Sequence, residues 1–468
     1  MKRWKEIEIV FGQSSLNVKV PPQTEILTMR DLHPLPDPQT AVENALRYPI
    51  GAPPLGELVR IKGSTGSLTV AIAVSDITRP VPYRGERGIL LPLLSHLERA
   101  GVKQDNIRIV VATGMHRMST REEKIRMYGE EVVGHYSIED HNCEDTTRLK
   151  CIGRTKLGTT VSVNKHFCEA DLKICTGLVE SHFMAGFSGG RKSICPGLVD
   201  KETVQHFHGP DFLENTHTDN LLLEGNPCHE EALEVAMRVG VDFILNVTAD
   251  RNFYTTGVYA GEMVQAHLKA CEAITNAVSI PIDYQFDIVI THGGYVGLNH
   301  YQTAKAACNA LPAVQDGGKL IIVADNYDVD PIGSPEYRIL LQILKLQGVQ
   351  RYVELLREPF WKFTKDQWEP EMWGRALRKV GEEGIIYCSP NIPKKDYVLI
   401  PAVSGYTFLG EELPMKMREA AQVMTQRAIV KLYEDFIKAT GKKPTVAYLQ
   451  DGPYGVAMCL KQYKEEKG

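Results

Sequence analysis

With 468 residues the chain is too long for one ordinary hydrophobic core and suits two domains, and 43% hydrophobic with 24% charged residues is the balance of a soluble globular protein. A net charge of −5 and a pI near 6.3 give no bulk attraction for nucleic acid or an anionic membrane, and no apolar run approaches the ~20 residues of a spanning helix. The 10 cysteines show no CxxC pairs or regular spacing, and Met1-Lys2-Arg3-Trp4 opens no apolar signal core, so a reducing, cytoplasmic setting is expected.

The first predicted strand, Leu68–Val74, leads into Ser75-Asp76-Ile77-Thr78-Arg79-Pro80-Val81-Pro82, a polar loop stiffened by two prolines. Arg79 there offers a planar fork to a carboxylate or phosphate, with a surface turn holding an internal Asp–Arg pair as the equal alternative. A helix predicted over Arg87–Arg99 precedes the strand Ile107–Val111, which exits through Ala112-Thr113-Gly114-Met115-His116-Arg117. Gly114 permits a tight exit and presents His116 at the strand's carboxyl end, where a functional histidine is favoured over a structural one.

The strand Leu172–Cys175 precedes the most informative block, which runs from Glu180-Ser181-His182 to Phe187-Ser188-Gly189-Gly190-Arg191-Lys192-Ser193. Ser188, Gly189, Gly190 and Ser193 surround Lys192 in a loop whose backbone N–H groups suit a phosphate. The GxxxxGK[ST] and GxGxxG spacings are absent, which argues against a P-loop kinase and an ordinary dinucleotide site. Cys143, Cys175 and Cys195 near these motifs read as small buried hydrophobes. In Gln205-His206-Phe207-His208-Gly209 the two histidines diverge, so a single metal ion would take only one of them.

Helices predicted over His229–Val239 and Gly261–Ala277 flank the strand Phe243–Val247, and Ser279-Ile280-Pro281-Ile282-Asp283 marks a boundary. After the strand Ile288–Ile290, a helix over Tyr301–Leu311 opens with Tyr301-Gln302-Thr303-Ala304-Lys305. Gln302 and Lys305 share a face near its N-terminus, a ready anion site or, equally, a solvated face. Leu320–Val323 is the next predicted strand, and Trp368 alone reads as core packing. Strands alternating with helices predict an α/β protein of two domains with mainly parallel, Rossmann-like sheets flanked by helices. The expected division is a cofactor-binding domain at 1–278, a linker at 279–284 and a second α/β domain at 285–468, whose last segment is a candidate to cross back. Ligands gather at strand carboxyl ends, so the active site is expected in the cleft between the domains.

Together these blocks resemble the lactate racemase family, whose members carry a nickel-pincer nucleotide. The resemblance runs from Asp76 to about Trp368 and rests on Asp76-Ile77-Thr78-Arg79-Pro80, Thr113-Gly114-Met115-His116-Arg117 and the His182 to Lys192-Ser193 block, in that order. It implies that Lys192 bonds covalently to the cofactor through a thioamide. It also implies that His208, rather than His206, completes the square plane of nickel beside sulfur, carbon and sulfur donors. His116 and His182 are implied as the acid/base pair, with Arg79 and Lys305 holding the substrate carboxylate and stabilising charge. Asp76, Thr78 and Trp368 line the site by the same resemblance, Tyr301 and Gln302 contact substrate, and Ser188, Gly189, Gly190 and Ser193 contact the cofactor phosphate.

The implied reaction inverts the hydroxyl-bearing carbon of a 2-hydroxy acid. Removing a proton there would set a carbanion beside a carboxylate, whereas removing a hydride leaves a neutral keto group, with the cofactor as electron sink and a histidine for each hand of substrate. The chain departs from simple lactate racemases after Ala324, where Asp325-Asn326-Tyr327-Asp328-Val329-Asp330-Pro331-Ile332-Gly333-Ser334 replaces a small-residue stretch, and also before Tyr301 and over Arg357–Gly374. The expected substrate is therefore lactate or a larger 2-hydroxy acid such as a sugar acid. Expected partners are that substrate and the cofactor-synthesis enzymes, with no nucleic acid or membrane and with a homo-oligomer left open. The alternatives are a nicotinamide-dependent oxidoreductase, a zinc hydrolase using the same histidines, and a non-catalytic carboxylate binder using Arg79, Lys192 and Lys305.

Overall fold

The computed structural model describes residues 4–63, 66–410 and 416–459, and the chain divides into two compact units. The first, Asp31–Ala277, is built on a six-stranded sheet in the order Thr255–Gly261, Phe243–Ala249, Leu172–Leu178, Val70–Ser75, Ile107–Ala112, Ser137–Asp140. All neighbours run parallel except Thr255–Gly261, which pairs antiparallel with Phe243–Ala249. Continuous apolar runs such as Val70-Ala71-Ile72-Ala73-Val74 suit such strands because both faces are covered, and all five residues are buried. Val70, Ile72 and Val74 share one core with Leu90, Leu93, Leu94 and Leu97 of the helix Leu90–Arg99. That helix starts three residues later than its periodicity predicts. The Ile89 and Leu90 amides are taken by the Pro82 and Tyr83 carbonyls, which ties the helix start to the loop after Ser75.

The second unit joins Met1–Arg30 to Val278–Gly468. Its sheet is parallel throughout, in the order Val403–Ser404, Ile385–Cys388, Val314–Val323, Phe286–His292, Val446–Leu449, Glu25–Leu27. The expected domain at 1–278 is corrected at its start. Glu25–Leu27 adds as an edge strand beside Ala447–Leu449, and Asp451 accepts hydrogen bonds from the Met29 amide at 2.7 Å and the Thr28 hydroxyl at 2.8 Å. Ahead of it, the hairpin Lys5–Phe11/Ser14–Val20 alternates inward and outward residues. Its inward Ile9, Leu16, Val18 and Val20 join a core with Ile288, Ile290, Ile321, Val323 and Ala428. The expected linker is also a strand: Ser279–Ile282 pairs parallel with Val456–Cys459, burying Ile280 and Ile282.

Leu16 is completely buried in the second unit's core. Leu16→Ala is expected to cost about 2–5 kcal/mol, read as a lower urea midpoint for that unit, and an unchanged midpoint would place the hairpin outside the core.

Candidate active site

The carboxyl end of the strand Val70–Ser75 is fixed by two buried phenols. The Ser75 amide donates to the Tyr83 hydroxyl at 2.7 Å, and that hydroxyl pairs with Thr176 Oγ1 at 2.8 Å, which donates onward to the Ala73 carbonyl. From the other side the Tyr128 hydroxyl donates to the Ser75 carbonyl at 2.8 Å. Tyr128 arrives on the helix Arg121–Tyr128, opened by a capping box in which Thr120 and Glu123 satisfy each other's amides.

Asp76 follows this clamped peptide and is buried. Its Oδ1 accepts from the Thr78 amide at 3.1 Å and the Thr78 hydroxyl at 2.5 Å, and its Oδ2 lies 2.6 Å from His116 Nδ1. Burial by itself would raise the carboxyl pKa, but the His116 hydrogen bond and charge and the Thr78 donors outweigh it and hold it below the usual range. The internal Asp–Arg pair is not formed. Arg79 is exposed, and its Nη1 lies 3.4 Å from the Thr78 carbonyl.

His116 reaches Asp76 because the strand Ile107–Ala112 exits through a tight turn. Gly114 has φ +55, donates its amide to the Gly197 carbonyl at 2.9 Å, and would place a Cβ 3.2 Å from the Pro196 carbonyl. A carboxylate only accepts, so Nδ1 of His116 carries hydrogen and faces Asp76. The side chain is half exposed.

His182 sits on the short hairpin Ser181–His182/Gly186–Phe187. Its Nδ1 accepts from the Met184 and Ala185 amides at 3.2 and 3.3 Å, and its ring stacks on Phe183. The loop that follows differs from the expected phosphate cradle. Ser188 and Ser193 donate their hydroxyl hydrogens to the Leu178 and Thr176 carbonyls at 2.7 and 2.9 Å, and the Gly190 amide donates to the buried Asn246 side chain at 3.2 Å. These bonds anchor the loop to the sheet, and they set Lys192 in the single 3₁₀ turn Gly190–Ser193, just past Gly189.

Lys192 has no carboxylate partner among the described residues. Desolvation first, and then the positive charges of Arg79 and Arg191, push its ammonium well below the usual lysine range, toward a neutral amine. Arg191 is completely buried and also lacks a carboxylate; it contacts His267 Nε2 and donates to the Ala185 carbonyl, each at 2.9 Å.

The divergent histidines separate as expected. His206 Nδ1 lies 2.6 Å from the Thr159 hydroxyl. His208 caps the helix Lys201–Phe207, with Nδ1 2.9 Å from the Val204 carbonyl, so Nδ1 carries hydrogen and Nε2 does not. Desolvation lowers its pKa to about 4, outweighing that carbonyl, with Lys192 and His116 adding to the shift. The positive charge of Arg79 thus acts on Lys192, and those of Lys192 and His116 act on His208, each adding to the downward shift that burial imposes.

In the second unit the helix His300–Ala310 is capped by Asn299, whose side chain accepts from the Gln302 amide at 2.9 Å. Tyr301 and Trp368 meet: the indole Nε1 donates to the Tyr301 hydroxyl at 2.9 Å. Lys305 Nζ lies 5.9 Å from the centre of the Tyr454 ring. Gln302 is exposed. Tyr83, Tyr128, Thr176, Asn246 and Arg191 escaped the sequence reading, because each acts through backbone contacts that no local motif announces.

Buried neutral histidines set the acid stability of the fold. Burial lowers His141 to about 4 and His300 to about 3, so the unfolded chain, near 6.5, binds protons more readily. Their contribution is complete above pH 6.5 and is lost as pH falls toward 4, at about 1.4 kcal/mol per pH unit for each group. The urea midpoint is expected to drop across that interval, and a flat profile would show that neither ring is buried neutral.

The lactate racemase N-terminal domain family matches residues 11–219. The chain is 33% identical over 377 residues to a lactate racemase of Thermoanaerobacterium thermosaccharolyticum, spanning 79% of this chain and 85% of that protein. It is 35% identical over 342 residues to a lactate racemase of Lactiplantibacillus plantarum, spanning 72% and 77%. The structure of the lactate racemase apoprotein from Thermoanaerobacterium thermosaccharolyticum matches with a TM-score of 0.79 at 27% identity, covering 97% of this chain and 100% of that one. A protein from Thermotoga maritima, 16% identical with a TM-score of 0.62 over 90% of this chain and 99% of its own, shares the fold alone. These likenesses make the chain a member of the lactate racemase family.

Proposed function

We propose that the protein inverts the hydroxyl-bearing carbon of a 2-hydroxy acid, using a nickel-pincer nucleotide held by Lys192 and His208. The observation that carries this is a desolvated lysine with no carboxylate partner among the described residues, in the same unit as an imidazole whose Nδ1 is held by the Val204 carbonyl. A neutral amine is the form that can make a thioamide bond. An imidazole whose Nδ1–H is held by a backbone carbonyl is oriented to offer Nε2 to a metal. When bound, the cofactor supplies a carbon that accepts a hydride and returns it.

The chain's own groups supply the rest. His116, oriented by Asp76, takes the hydroxyl proton at Nε2, and its positive charge is balanced by that carboxylate. Arg79 offers its planar guanidinium to the substrate carboxylate. Ser188, Gly189, Gly190 and Ser193 support the cofactor through the loop they brace. The loop after the strand Val314–Val323 is polar: Asn391 donates to Asp325 at 2.8 Å and Asn299 to Asp328 at 3.0 Å. This favours a polyhydroxylated acid over lactate. Ten free cysteines, with Cys143, Cys175 and Cys195 buried, suit a cytoplasmic enzyme served by cofactor-synthesis enzymes. No helix among the described residues is long and apolar enough to cross a membrane. A zinc hydrolase is disfavoured because no three His, Cys, Asp or Glu side chains among the described residues gather as a metal-binding group.

Protein produced beside the cofactor-synthesis enzymes is expected to carry stoichiometric nickel, a mass increment on the Lys192 peptide, and inversion activity in a panel of chiral 2-hydroxy acids. Lys192→Ala should lose all three. Retention of cofactor and activity by that variant would overturn the proposal, and activity gained by cofactor-free protein on adding NAD or zinc would favour the other enzyme classes.

A further inference from the structure

We propose that the first unit carries a second ligand site, a cavity floored by Arg191 that takes a small monocarboxylate with an apolar chain. The site is independent of the function proposed above, because none of the residues lining it is among those assigned to cofactor or substrate.

The cavity holds about 250 Å³ and lies among residues 223–225, Arg191, and the first turns of the helices Pro227–Val239 and Met263–Val278. Leu223, Leu233, Met263, Val264 and Leu268 make most of its wall apolar. Leu268 is 47% exposed and Arg191 only 1%, so the cavity runs from an open mouth to a buried cationic floor. Glu224 and Glu230 also line it, and both are exposed.

The charge on the floor is unanswered. Arg191 Nη1 and Nη2 meet His267 Nε2 and the Ala185 carbonyl, each at 2.9 Å, whereas its buried Nε has no hydrogen-bond partner among the described residues. Burial lowers the guanidinium to about 10, which leaves it a cation at neutral pH. His267 cannot balance that cation, because burial and then Arg191 itself hold its ring well below the usual histidine range. His229 Nδ1 is a second buried lining atom without a partner among the described residues, on a ring that burial and then Arg191 lower to about 3. Buried donors left in this way cost stability unless something meets them.

The helix starts add no free donors. The His229 amide is taken by the Asn226 side chain at 3.2 Å, and the Val264 and Gln265 amides by the Glu262 carboxylate at 3.0 and 2.8 Å. Arg191 Nε–H and the neutral His229 Nδ1 are therefore the groups offered to a ligand. One carboxylate oxygen suits the guanidinium through a charge-assisted hydrogen bond, the other suits an Nδ1–H of His229, and an aliphatic chain suits the leucine wall. The exposed Glu224 and Glu230 oppose a second carboxylate at the far end of that chain, which selects monoanions.

The test is a methyl NMR titration of full-length, cofactor-free protein with hexanoate, reading the Met263 methyl signal assigned by Met263→Leu. Hexanoate is expected to shift that signal saturably with a Kd below about 10 mM, and hexan-1-ol and adipate to bind at least about ten-fold more weakly. Arg191→Met should weaken hexanoate by about ten-fold or more. If that variant does not fold, Leu233→Trp, which fills the cavity from a half-buried helix position, should abolish the shift. Arg79→Ala should leave the affinity unchanged. No saturable shift, equal binding of hexan-1-ol, or binding lost in Arg79→Ala but kept in Leu233→Trp overturns the proposal.

Discussion

Everything at the first unit's site depends on the clamped Ser75 peptide. A strand end is ordinarily where the backbone frays, yet here Tyr83 and Tyr128 satisfy both the amide and the carbonyl of Ser75. With that peptide immobile, Asp76 can be buried as a carboxylate, because His116 and Thr78 together replace the water it gave up. Loss of either phenol would release the strand end first and the Asp76–His116 geometry second.

The second organising feature is uncompensated positive charge. Arg191 is buried with no carboxylate partner among the described residues, Lys192 is desolvated beside it, and Arg79 adds its field. In a purely structural loop such charges would be costly, and a protein built only for stability would pair or remove them. Among the described residues Arg191 is met by the Ala185 carbonyl and His267 instead, each at 2.9 Å. The neutral His208, close enough to sense Lys192 and His116, belongs to the same logic.

Hydrogen-bond direction gives the site its polarity. Identical side chains face a carboxylate at His116, a carbonyl at His208, a hydroxyl at His206 and two amides at His182. Composition cannot distinguish these four rings. Their chemistry is decided by partners that arrive from other strands, turns and helices.

The sequence by itself determined the α/β alternation, because parallel strands covered on both faces must be written as continuous β-branched runs and their helices as apolar stripes. It also determined that the polar motifs around Asp76 and His116 sit at strand carboxyl ends, since each follows its run directly. Only the tertiary structure decided that Glu25–Leu27 belongs beside Ala447–Leu449, a pairing between chain ends that no local pattern encodes. It likewise decided that Ser279–Ile282 is a paired strand, and that Ser188, Ser193 and Gly190 brace a loop with donors expected for a phosphate. The physical reason is the same throughout: periodicity records which face of an element is buried, whereas a hydrogen-bond partner is fixed only when distant elements pack.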